Sequence, residues 1–92
     1  MPAMNIQEAP HGVNVVIETS NAHVYIGRFD STNGFQALLH DCDVHPVGEG
    51  EDAETYIRNT AKYGVAVKER DLAVDVHLIE RVRLLGDIPK PD

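Results

Sequence analysis

Ninety-two residues with one cysteine, Cys42, exclude an intramolecular disulfide, and no Cys/His spacing frames a structural zinc site. So short a chain builds only a thin apolar core, which makes association with copies of itself the expected source of extra stability. The net charge is −7, with nine acids against the single base Arg28 in residues 1–57 and six acids against seven bases in residues 58–92; this leaves no broad basic face for duplex DNA, whereas a short single strand needs only a few placed residues.

Met1 to Pro10 lacks the basic start and apolar run of a secretory signal, and no segment reaches bilayer-spanning length, so no membrane partner and a soluble, cytoplasmic setting are expected. Val13, Val15 and Ile17 alternate with Asn14, Val16 and Glu18, which predicts a strand over 13–18 with one strongly apolar face. Ser20-Asn21 reads as a tight turn into a second strand, Ala22 to Asp30. Gly27, in the middle of that strand, packs nothing and marks a structural bend.

Asp30-Ser31-Thr32-Asn33-Gly34 is dense in turn formers, and Phe35 to Val44 follows as a third strand whose adjacent Leu38 and Leu39 suit burial on both faces. Residues 46–63 form a variable excursion. His45 to Glu54 reads as an exposed loop, and residues 53–64 stay open between a helix, suggested by the Glu54/Arg58 spacing and Gly64, and a strand, suggested by Thr55, Tyr56 and Ile57. Val65 and Val67, Leu72 to Ile79 and Val82 to Leu85 read as strands, with Glu80-Arg81 as the short link between the last two. Pro89 and Pro91 predict a frayed tail over 87–92.

The chain is thus expected to be one mostly β domain over 1–92, with its core in 12–45 and 64–86. It forms a small five-stranded, strongly bent antiparallel sheet rolled into a partly open, SH3-like barrel. The stretch VNVVIETSNAHVYIGRFDSTNGFQALLHDCDV, Val13 to Val44, resembles the first signature motif of the Sm and Sm-like (LSm) family of RNA-associated ring proteins. Tyr25-Ile26-Gly27-Arg28-Phe29 is similar to the family's glycine segment, Asn33 stands at the loop aspartate, Phe35-Gln36 at its Met-Asn pair, and Ala37 to Cys42 on its third strand. The second motif is matched poorly: Val74 to Leu85 has the strand-turn-strand form, but the Arg-Gly pair is missing and Ile79-Glu80-Arg81 stands near it.

The resemblance implies head-to-tail assembly through the last two strands into a homo-oligomeric ring of about five to seven subunits. It also implies that single-stranded, often uridine-rich RNA is held near a central pore by Asn33, Phe35, Gln36 and Arg81. Gln36 would offer an amide to a base edge, Phe35 a stacking face and Arg81 charge. The missing Arg-Gly pair and the acidic first half favour an alternative, an oligomeric scaffold or protein-interaction module without RNA recognition.

Chemistry elsewhere in the chain is sparse. His40-Asp41-Cys42-Asp43-Val44-His45 is rich in ligating side chains, but strand alternation puts His40 and Cys42 on one face and Asp41 and Asp43 on the other, so neither a metal nor a cofactor is expected. No phosphate loop or nucleophile elbow is present, and acidic neighbours disfavour a Cys42 thiolate, so the chain does not read as an enzyme. Tyr25 and Phe29 read as core residues, and His23 and His77 as structural histidines within strands.

Overall fold

The structure, a computed structural model, describes residues 5–90. Five antiparallel strands form one sheet: β1 (Asn14–Thr19), β2 (His23–Thr32), β3 (Gln36–Pro46), β4 (Glu69–Asp75) and β5 (Ile79–Leu84), in the spatial order β4-β3-β2-β1-β5. One helix, α1 (Ala53–Tyr63), lies between β3 and β4. The borders β4 and β5 do not pair with each other, so the sheet remains a partly open barrel. Among the described residues no helix is long and apolar enough to cross a membrane.

β1 departs from the one-faced expectation. Val15 and Ile17 join Phe29, Ala37, Leu39, Cys42, Val74, Val82 and Ile6 on one side, and Val16 joins Val24, Ile26, Ile57, Leu85 and Ile88 on the other. The Val-Val-Ile run is therefore covered twice, and each of these side chains contributes about 1.5–3 kcal/mol through burial. The second apolar layer exists because α1 and the chain after β5 cover that face, and alternation within β1 alone did not reveal it.

The bend is built from a glycine and a bulge facing each other. Gly27 is buried between β1 and β3, and the β2/β3 register slips between Ile26 and Arg28, opposite Asp41, whose φ is 48°. An extra residue on β3 sharpens the local twist. It also breaks strand alternation: Leu39 and Cys42 both point into the core, His40 stays half-exposed and Asp43 is buried. The expected pairing of His40 with Cys42 on one face is thus corrected. Phe29 is core as expected, and Tyr25 packs against that core while stacking on His23 at 5.9 Å.

The open segment resolves as a helix. Asp52 caps it by accepting from the Glu54 N–H at 3.1 Å, Ile57 and Thr60 face inward, and Gly64 ends it at φ 95°. Glu54 does not pair with Arg58. It accepts two hydrogen bonds from the Arg83 guanidinium, at 3.1 and 2.5 Å, and the same guanidinium donates to Glu18 at 3.1 Å, fastening the first turn of α1 to β5 and β1.

The last two strands are divided differently from the expectation. Val65 and Val67 precede β4 in irregular chain, and β4 ends at Asp75. The link between β4 and β5 is a 3-10 turn, Val76–Leu78, and Glu80 and Arg81 lie inside β5. Asp75 caps that turn by accepting from the His77 N–H at 2.9 Å, and a capped turn interrupts the strand that apolar alternation suggested. Within the tail expected to fray over 87–92, Ile88 is buried in the layer that holds Ile57 of α1, after a further 3-10 turn, Leu85–Asp87.

Candidate functional site

The β2/β3 hairpin tip holds three of the four residues singled out from sequence. Gly34 turns the chain at φ 92°, and Thr32 Oγ1 both donates to the Gln36 carbonyl at 3.0 Å and accepts from the Gly34 N–H at 3.3 Å. Asn33 Oδ1 accepts from the Phe35 and Gln36 N–H groups at 2.9 and 2.8 Å. Its oxygen is engaged within the loop, so Asn33 shapes the tip.

Phe35 is 71% exposed, and its carbonyl accepts from the Val76 N–H at 2.9 Å. A large apolar ring held in water by a fixed backbone is a stacking platform. Gln36 is exposed beside it, and its amide makes no hydrogen bond with the described residues. It pairs in register with Asp75, which keeps a negative charge against the tip. This arrangement suits the faces and edges of bases and disfavours phosphates.

Arg81 stands apart from the tip in the sheet, on β5, with β1 and β2 between it and β3. It lies opposite Glu18 in register, with Nε 3.6 Å from the Glu18 carboxylate. The side chain that sequence reading assigned to a ligand is engaged with an acid of the neighbouring strand.

His77, read from sequence as a structural histidine within a strand, is corrected on both counts, and its place beside the tip is what that reading missed. It lies in the 3-10 turn that contacts the hairpin through Val76 and Phe35, with its side chain 79% exposed. Its backbone N–H and its Nδ1 both address Asp75 Oδ1, and the backbone bond leads in holding the Asp75 carboxyl below the usual range. Nε2 makes no hydrogen bond with the described residues. The signal was present as Asp75 two residues before His77, a capping spacing that ends a strand.

Both borders of the sheet carry shallow grooves. One of about 360 Å³ beside β4 is lined by Leu38, Leu39, His40, Asp71, Leu72 and Ala73, and one of about 260 Å³ beside β5 includes Ile6, Val76, Ile79 and Val82. The thiol of Cys42 is buried, and burial followed by the Glu69 charge pushes its pKa up to about 11. No three His, Cys, Asp or Glu side chains converge on a metal-sized site among the described residues. Compared with protein-family models and with curated proteins, the chain matches none.

Proposed function

We propose that this chain is an Sm-like subunit that assembles head to tail through its open borders and holds short single-stranded RNA at the hairpin tip. The supporting observation is Phe35, an exposed ring fixed by a backbone bond to Val76, with the free amide of Gln36 and the imidazole of His77 on the same two loops. Phe35 stacks on a base, and Gln36 and His77 read its edge. The free backbone edges of β4 and β5, the first beside a mainly apolar groove and the second beside one that mixes Ile6, Val76, Ile79 and Val82 with Asn5, Glu80 and Arg81, invite a heterologous pairing that closes into a ring.

The test is fluorescence anisotropy with short oligouridine and oligoadenine, alongside light scattering. The expected outcome is a solution mass of about five to seven chains and salt-sensitive binding that Phe35→Ala weakens by about tenfold. A monomer, or no binding at micromolar protein, would sink the proposal.

One observation favours the scaffold reading. The Asn33 Oδ1 is engaged within its own loop and Arg81 is ion-paired with Glu18, which draws two of the four groups expected to meet RNA toward partners within the chain. If the oligomer forms and oligonucleotides do not bind, the scaffold reading takes its place.

A further inference from the structure

In a chain of net charge −7, residues 58–68, RNTAKYGVAVK, hold three bases and no acid. Lys68 is committed, with Nζ 3.1 Å from Asp43 Oδ1 and donating to the Val44 carbonyl at 3.3 Å. Arg58 and Lys62 are exposed, and no carboxylate of the described residues lies within ion-pair distance of either. Glu54, the acid one turn before Arg58, is turned inward to Arg83. Spaced i,i+4, Arg58 and Lys62 share the face of α1 opposite buried Ile57 and Thr60. Beside them Tyr63 is 76% exposed, and Lys62 Nζ sits 5.3 Å from its ring centroid.

We infer that the outer face of α1 is a second contact surface for single-stranded RNA, with Arg58 and Lys62 on phosphates and Tyr63 stacked on a base. This inference rests on the RNA reading of the hairpin tip and supplies what the tip lacks. Asp75 beside Gln36 repels phosphates, and a strand whose bases are held there still carries one charge per nucleotide that must be met elsewhere. An acidic peptide would use the two bases but has no need of an aromatic face held in water. Charge together with a stacking ring favours nucleic acid.

The experiment uses the full chain with oligouridines of about 6 and about 18 nucleotides, the shorter matched to a single site and the longer able to reach beyond it. Expected for the Arg58→Glu/Lys62→Glu pair is about tenfold weaker binding of the long strand and a log–log salt slope shallower by about 1.4, from two lost phosphate contacts. Tyr63→Ala weakens the long strand by about five- to tenfold through lost stacking, and neither variant changes binding of the short strand. Phe35→Ala weakens both lengths.

Wild-type affinity and salt slope for the long strand in the α1 variants would overturn the inference. So would displacement of the long strand by polyglutamate combined with unchanged binding in Tyr63→Ala, which marks a docking face for acidic proteins. If Phe35→Ala changes neither length while the α1 variants weaken the long one, the hairpin-tip reading fails and the α1 contact stands. No binding at either length overturns both.

Discussion

Gly27 lies so close to Cys42 that a Cβ added to the glycine would stand 2.3 Å from the cysteine Cβ and 2.8 Å from its Cα. Half of that clash is with backbone, which cannot rotate away. Gly27→Ala is therefore expected to destabilise the fold by about 3 kcal/mol or more, through overpacking at a site with no room to relax. Urea denaturation measures this, and a loss below about 1 kcal/mol would show that β2 and β3 can separate without cost.

The Arg83–Glu54 contact gives acid sensitivity of a definite sign. Hydrogen bonding from Arg83 leads in holding the Glu54 carboxyl below its ordinary value of 4.5, so its contribution is complete above that value and is lost as pH falls through the lower folded one. Because Glu54 is about one-third exposed, solvent screening limits the gain to about 1 kcal/mol. Glu54→Gln should cost that amount at neutral pH and almost nothing in strong acid, as read from urea midpoints across a pH series.

Cys42 should be chemically silent in the folded chain. Its thiol is buried, its pKa is pushed up to about 11, and Sγ donates to the Glu69 carbonyl at 3.6 Å. A disulfide reagent at neutral pH should label it only as fast as the fold opens, and at once in guanidinium. Rapid labelling in native buffer would contradict the packing around Gly27.

Tyr56 tethers α1 to β3 by donating its hydroxyl to the buried carboxylate of Asp43, while its ring stacks on His45 at 3.9 Å. Tyr56→Phe leaves that carboxylate with Lys68 and should cost about 2 kcal/mol by urea denaturation. Burial, then the Asp43 contact, raises the phenol pKa above the ordinary value of 10.0. Its contribution is full below that value and fades as pH climbs beyond it. A spectrophotometric titration should show a late-ionising tyrosine in the wild type that the variant lacks.

Much of this architecture is legible in the amino-acid order. β1, β2 and β3 announce themselves through β-branched residues bounded by Ser20-Asn21 and by Asp30 to Gly34, and Gly27 stands where the sheet bends. The border strands are less legible because Val76 and Leu78 continue the alternation of Val74 through a 3-10 turn, and only the Asp75 cap reports the break. The helix over 53–63 stayed ambiguous because its anchors, Arg83 for Glu54 and Asp43 for Tyr56, are distant in sequence. At the candidate site, exposure of Phe35 and Gln36 follows from their place after a turn. The engagement of Asn33 with its own loop and of Arg81 with Glu18 depends on register, which the sequence does not display.

The three-residue turn Val76–Leu78 joins the two strands that stand furthest apart in the sheet, and it is tied to Phe35 by the Val76 N–H and to Ser20 by the Leu78 carbonyl. A ribbon whose opposite margins share so short a hinge cannot shift one margin independently of the other. Strain applied along β4 is handed directly to β5, and the hairpin carrying Phe35 moves with both.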